Sequence, residues 1–329
     1  MKLTTTYLGL TLAHPFMPGA SPLADNLDTV LELEDAGASA IVMRSLFEEQ
    51  ILHQRYGSVF LTQTEGATRA AVASHFPAID EFVLAPDRYL EQVRRIKARV
   101  GVPVIASLNG TTTEGWLDGA RWLEKAGADA VEVNFYHVAT DWREDGLAVE
   151  RRLLDVIAVL KETVRIPIAV KLSPFYSSLP HLASQLELIG AAGLVLFNRF
   201  YQPDIDPIEL DAAPRLQLST SSDLLLRLRW LAILSQTFRG SLAVTGGVHE
   251  PIDAVKAVMA GADAVQIVSA LLQKGPRHLT TIRLGFEQWC ESHEYESIDQ
   301  VRDSMSLSLG PDPHAFERGH YARILQSWT

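Results

Sequence analysis

Short apolar, β-branched runs alternate along this chain with longer amphipathic stretches. Residues 40–43 follow a helix-like stretch over 26–36, 102–106 follow 87–100, 130–134 follow 114–126, and 168–171 follow 150–164. The rhythm continues with 193–197 after 184–191, 242–245 after 222–238 and 264–268 after 251–260, and an early run at 15–20 completes eight strand candidates. Strands alternating with helices at this spacing predict parallel βαβ units, and runs that are apolar throughout suit strands buried on both faces. Asp35-Ala36-Gly37-Ala38, Lys125-Ala126-Gly127-Ala128 and Met259-Ala260-Gly261-Ala262 each put glycine where a helix ends in the left-handed region before a strand. Eight such units predict an α/β fold of the (β/α)8 TIM-barrel type, one domain over residues 1–329, with a doubly wound sheet as the competing arrangement.

Three stretches break the rhythm. Residues 46–85, with Tyr56-Gly57 and Gly66, read as a loop insertion after the second strand. Residues 199–217, with Pro203, Pro207 and Pro214, read as a hairpin or lid after the sixth, and 293–329 as a C-terminal helical tail. The 329 residues are 47% hydrophobic and 21% charged, an ordinary globular balance. A net charge of -11 argues against nucleic acid or an anionic membrane as the main partner. The polar start Met1-Lys2-Leu3-Thr4-Thr5-Thr6 lacks a signal-peptide core, and no apolar run is long enough for a membrane span, so a cytoplasmic protein is expected. Cys290 is the single cysteine: it allows no disulfide within the chain and no cysteine-held metal or iron–sulfur site, and its place in an amphipathic run suggests a small buried helix residue. No metal is expected.

The chemistry gathers at the carboxyl ends of the predicted strands. In Val244-Thr245-Gly246-Gly247-Val248 two glycines let the backbone approach an anion, and one unit later Val268-Ser269 offers further N–H groups. Together they suit the phosphate site that barrels build after strands seven and eight. Lys171 ends the fifth strand inside an apolar run. Burying its ammonium requires an anion or several acceptors, which suits a group stabilising charge on a reduced flavin ring, a Schiff-base lysine, or a paired structural lysine. Asn109, Asn134 and Asn198 follow strands three, four and six, where amide side chains suit a heterocycle with imide and carboxylate edges.

These segments resemble the dihydroorotate dehydrogenase family over nearly the whole length. The likeness runs from Thr5-Thr6-Tyr7-Leu8-Gly9-Leu10 and His14-Pro15-Phe16-Met17-Pro18-Gly19-Ala20-Ser21, through Val170-Lys171-Leu172-Ser173-Pro174 and Thr245-Gly246-Gly247-Val248, to Tyr295-Glu296-Ser297-Ile298-Asp299-Gln300-Val301-Arg302. It implies FMN at the strands' carboxyl ends. Ala20 and Ser21 would line it, Asn109 and Asn134 reach the ring region, and Lys171 approach the ring, while Gly246, Gly247, Val268 and Ser269 hold the phosphate. Arg44 stands where the family usually has lysine, beside flavin and substrate; it keeps the charge on a longer, planar group. A homodimer is implied as well.

The substrate motifs depart from the family. Where soluble members carry Asn-Leu-Ser-Cys-Pro-Asn, this chain has Asn134-Phe135-Tyr136-His137-Val138-Ala139, so His137 replaces the proton-removing cysteine and Ala139 an asparagine. The asparagine motif after strand two is not recognisable within 46–85, and Leu-Ser-Gly has become Leu218-Ser219-Thr220. An imidazole is a competent general base at neutral pH, whereas Tyr136 is a weaker one. The expected chemistry is oxidation of dihydroorotate to orotate. His137 would take a proton, Lys171 stabilise the reduced ring, and Asn134, Asn198 and Arg44 or Arg199 orient the substrate, with reoxidation by a separate acceptor. The competing readings are a flavin enzyme acting on another substrate, or a non-redox barrel that binds a phosphate ligand or works as a lysine aldolase.

Overall fold

A computed structural model describes residues 1–51, 85–110, 112–213, 216–312, 316 and 318–327. Most of the expected insertion at 46–85 lies outside the described residues. A hairpin of β1 (Thr5–Tyr7) and β2 (Leu10–Leu12) opens the chain. Its two-residue turn, Leu8 at φ 55° and Gly9 at φ 77°, has the positive φ pair of a type I′ hairpin, and the Leu8 N–H donates to Ser241 Oγ at 3.0 Å. Next come β3 (Phe16–Pro18), β4 (Ile41–Phe47), β5 (Val104–Asn109), β6 (Ala130–Asn134), β7 (Ile168–Leu172) and β8 (Gly193–Leu196). The antiparallel pair β9 (Asp204–Asp206) and β10 (Asp211–Ala213) is the hairpin expected after the sixth barrel strand, and β11 (Ser241–Thr245) and β12 (Ala264–Ile267) follow.

Eight of these strands form one parallel sheet in the order β3-β12-β11-β8-β7-β6-β5-β4. The order is sequential, where a doubly wound sheet would reverse at an internal strand. The two ends, β3 and β4, meet at a seam where the Ser39 N–H and Oγ both donate to the Phe16 carbonyl, at 3.1 and 2.8 Å. The sheet is therefore a barrel closed up to that seam. β4 runs beyond the expected 40–43, through Arg44 to Phe47, and so takes up the first two positions of the expected insertion. Tyr7, Leu8 and Leu12 of the first hairpin pack with Met17, Val42, Ile105, Ala130, Ala169, Val195, Ala243 and Ala264, so the amino-terminal end of the barrel is filled by apolar side chains.

The helices lie outside: α1 (Leu27–Asp35), α2 (Pro86–Lys97), α3 (Thr113–Lys125), α4 (Gly146–Thr163), α5 (Leu179–Leu188), α6 (Leu224–Leu234), α7 (Pro251–Met259), α8 (Ser269–Lys274), α9 (His278–Ser292), α10 (Ile298–Val301) and α11 (Arg318–Gln326). Asn26, Thr112 and Asp145 cap α1, α3 and α4 by accepting backbone N–H groups two or three residues on. The Asp145 cap explains why α4 starts earlier than its apolar periodicity suggested. Pro180 sits in the first turn of α5, where no N–H is needed, so that helix also begins before residue 184. Cys290 is fully buried in α9, and burial pushes its thiol up to about 11, in keeping with a packing role. Among the described residues no helix is long and apolar enough to cross a membrane.

His14, just before β3, is buried, and its Nδ1 accepts the Phe16 N–H at 3.2 Å, which requires an unprotonated ring nitrogen. Burial first, and then the Arg283 charge, lower its pKa from 6.5 to about 4. The folded value lies below the unfolded one, so this group's contribution is full above pH 6.5 and is lost as the pH falls towards 4. Urea midpoints measured across that window should fall more steeply for the native protein than for His14→Gln. Parallel curves would exclude His14 as a source of acid sensitivity.

Candidate active site at the barrel mouth

Side chains on a strand alternate, so Ala130, Glu132 and Asn134 of β6 share its inward face. Glu132 is completely buried in the barrel. Lys171 of β7 donates to its Oε1 at 3.1 Å, and Gln266 of β12 donates Nε2 to its Oε2 at 2.6 Å. Each carboxylate oxygen thus has its own donor, and one donor carries the compensating charge. The pair holds Lys171, itself only 7% exposed, in one place. The Lys171 nitrogen is engaged in an ion pair, whereas a Schiff-base lysine must present a free, neutral amine to a carbonyl. This geometry opposes the aldolase reading.

Above this layer the strand ends bring several expected residues together. Asn134 stands opposite Lys171 in the β6–β7 register, and its Oδ1 accepts a short hydrogen bond from Asn198 Nδ2. The Asn198 N–H in turn donates to the Leu172 carbonyl at 2.8 Å. Asn109 closes β5 and is largely buried. Ser21 is buried beside the turn that follows β3, and its Oγ has no hydrogen-bond partner among the described residues. Arg44 pairs with Asp25 at 2.7 Å, so much of its charge is already matched. Arg199 faces the Asp223 carboxylate at 3.8 Å and lies over the Tyr201 ring. A cleft of about 480 Å³ opens here, lined among others by Phe175, Asn198, Arg199, Phe200, Asp223 and Arg227.

The glycine pair lies at the end of β11. Gly246 (φ 85°) and Gly247 (φ 88°) both occupy the left-handed region, and a Cβ on Gly247 would lie 2.3 Å from the Leu224 nitrogen. The Gly247 N–H donates to Ser219 Oγ at 3.2 Å, and Ser269 Oγ accepts the Ser219 N–H at 3.0 Å. Ser219, in the altered Leu218-Ser219-Thr220 segment, therefore ties the two phosphate-type loops together, with His249 Nε2 3.2 Å from the same hydroxyl. Val268 directly precedes α8, and Ser269 is its first residue.

The segment after β6 divides its aromatic side chains between two directions. Phe135 stacks against Trp116 of α3, with ring centroids 6.4 Å apart. Tyr136 stacks on Phe200 at 4.3 Å, and Phe175 meets Phe200 edge-on at 5.2 Å, which builds an aromatic wall on the cleft. His137 Nε2 lies 3.4 Å from Glu144 Oε2 and 3.3 Å from Arg152 Nη1, and Arg152 also pairs with Glu144. Burial and then Arg152 lower the imidazole pKa, which favours the neutral ring. Among the described residues no hydrogen bond joins His137 to Lys171, Asn134 or Asn198. The structure thus gathers Asn134, Lys171 and Asn198, places the glycine pair with Ser269 at a second locus, and leaves His137 on the α4 side of the mouth. Sequence reading missed Glu132, Gln266 and Arg227. For Glu132 the signal was present: a carboxylate two residues before Asn134 in a strand must share its inward face.

A sequence model of the dihydroorotate dehydrogenase family matches residues 83–289. This chain belongs to the dihydroorotate dehydrogenase family. It is 30% identical over 310 residues to a putative dihydroorotate dehydrogenase A (fumarate) of Aeropyrum pernix, with 91% of this chain and 96% of the relative covered. It is 28% identical over 306 residues to the catalytic subunit of dihydroorotate dehydrogenase B (NAD(+)) of Thermoplasma acidophilum, covering 91% of this chain and 97% of the relative. The corresponding subunit of a Geobacillus species is 25% identical over 280 residues, at 82% and 85% coverage.

The interior ion pair makes a stability prediction for this family member. Lys171→Met leaves the Glu132 carboxylate buried with Gln266 as its remaining partner and should cost about 3–5 kcal/mol in urea denaturation. The Lys171→Met, Glu132→Gln double variant, which removes the charge as well, should regain much of that loss. Equal stabilities for single and double variants would show that the pair does not hold the barrel interior.

Proposed function

We propose that this chain is an FMN-dependent enzyme that oxidises dihydroorotate to orotate in pyrimidine biosynthesis. The observation that carries the reading is Lys171, ion-paired with Glu132 at the end of β7 beside Asn134 and Asn198, with a glycine-lined locus two strands away on the same rim. The residues present suit FMN. Among the described residues the buried Ser21 Oγ lacks a partner, the rim offers Lys171 and Asn109 for polar ring edges, and Gly246, Gly247, Val268 and Ser269 would hold the phosphate. FMN supplies the two-electron acceptor for the hydride that leaves the substrate. Ala20 and Arg44, the latter paired with Asp25, would line the flavin ring.

The chain's own groups do the rest. Lys171 keeps a fixed positive charge where negative charge develops, and its pairing with Glu132 removes the need to reorganise during the reaction. Asn134 and Asn198, joined to each other, present an amide donor and acceptor to the imide and carboxylate edges of the substrate. Arg199 adds a cation at the cleft. His137 takes the substrate proton at a ring nitrogen; Glu144 beside it stabilises the imidazolium that results, while Arg152 keeps the resting ring neutral. The names of the relatives point to different electron acceptors, NAD(+) and fumarate, and a separate acceptor is part of this reading. So is a homodimer, for which the exposed Ile205, Ile208 and Leu210 of the β9–β10 hairpin supply apolar surface.

The purified protein should show flavin absorption bands that bleach on anaerobic addition of dihydroorotate. Bands that persist would exclude this substrate, and a colourless protein that takes up no FMN would exclude the flavin reading. His137→Ala should retain flavin but slow its reduction by about 10²-fold. In the native protein the acid limb of the reduction rate should fall below pH 6.5, because the imidazole pKa is lowered. A limb that is unchanged in His137→Ala would remove His137 from the proton transfer.

A further inference from the structure

Arg227 belongs to α6 but lies inside, 7% exposed, behind the glycine pair. Its Nε donates to the Thr245 carbonyl at 2.5 Å and its Nη1 to the Asp223 carbonyl at 2.6 Å. Both acceptors are neutral. Among the described residues no carboxylate lies within ion-pair distance of this guanidinium. The Asp223 carboxylate itself accepts the Thr220 N–H at 2.8 Å and faces Arg199 at 3.8 Å. Burial lowers the pKa of Arg227; Asp223 opposes this from a distance and Arg199 adds to it. Arginine does not lose its proton in a protein, so a buried positive charge remains here without a counter-ion. Such a charge is costly to keep unless an anion joins it.

The geometry says where the anion would sit. The guanidinium lies flat against Gly246: a Cβ there would be 3.0 Å from Nη2 and 3.2 Å from both Cζ and Nε. Nη2 has no hydrogen-bond partner among the described residues, and Arg227 lines the cleft at the barrel mouth. The two carbonyl bonds fix the plane of the fork and leave Nη2 free beside the backbone of the glycine pair. Gly246 is thus required twice, for its positive φ and for the room that Arg227 occupies.

We infer that Arg227 binds the phosphomonoester of the flavin, adding a charged donor to the backbone amides around Gly246 and Gly247. This inference rests on the FMN reading above. A guanidinium fork matches phosphate oxygens, and a hydrogen bond to a charged group contributes enough for a change of about 10- to 100-fold in affinity.

The test is titration of the flavin-free protein with FMN and with riboflavin, which has no phosphate, followed by flavin fluorescence. Arg227→Gln should weaken FMN by about 10- to 100-fold and leave riboflavin unchanged. Arg227→Lys, which keeps the charge, should recover part of the loss and serves as the informative variant if Arg227→Gln does not fold. Equal losses for the two flavins would make Arg227 a structural residue and overturn the inference. Unchanged FMN affinity with a raised KM for dihydroorotate would also overturn it, and would assign the cation to the substrate carboxylate. Native protein that binds neither flavin would overturn the FMN reading itself, an outcome separate from a failure at Arg227 alone.

Discussion

Glu132 places a carboxylate where the surrounding strands exclude water, and much of the site follows from how that charge is matched. A buried ion of this kind is tolerated when both oxygens are hydrogen-bonded and one partner carries the opposite charge. Lys171 and Gln266 meet both conditions from β7 and β12, which lie on different sides of the barrel. The network therefore spans the interior and ties β6 both to its neighbour β7 and to β12, a strand it does not pair with. Removing Lys171 alone is a different perturbation from removing the pair, because the first leaves a charge behind and the second does not.

The same constraint shapes the chemistry. Lys171 stands beside a carboxylate, an environment that suits a fixed cation better than a nucleophile. Below it the barrel is apolar and plugged by the β1–β2 hairpin, so the polar layer has one open side, towards the mouth. Asn134 and Asn198 complete that side. Their mutual hydrogen bond uses one group of each amide and leaves the others to face a ligand. A model of the family matches residues 83–289, and one of the departures from the family motif lies in the segment after β6, at the end of the strand that carries Glu132.

The barrel was legible because its signals are local. Apolar runs, glycine helix ends and cap residues each act within a few positions, and the glycine pair could be read the same way. Helix starts were less so: Asp145 and Pro180 moved α4 and α5 earlier than apolar periodicity alone indicated. The interior partners were not read, because they depend on register between distant strands. Nothing near Gln266 in sequence says that its amide reaches Glu132, 134 residues away. Arg227 was hidden for a related reason. In Leu224-Leu225-Leu226-Arg227-Leu228-Arg229 two arginines look alike, and only the packing of α6 against β11 turns the first of them inward.

His137 shows how far the position of a residue in a motif carries a mechanistic reading. By its place in the motif it takes the position of the cysteine that the resemblance implies, and a neutral imidazole is able to accept a proton. The structure sets it between Glu144 and Arg152: the guanidinium disfavours the charged ring, and the carboxylate lies where an imidazolium would pair with it. A base that must be neutral at rest and charged after the transfer gains from both, provided that proton acceptance draws the ring towards Glu144. A thiolate there would face the Glu144 anion and the Arg152 cation together. The Glu144–Arg152 pair therefore sets the charge balance that a base at this position meets, and His137 meets it with a group that can be neutral before it takes a proton.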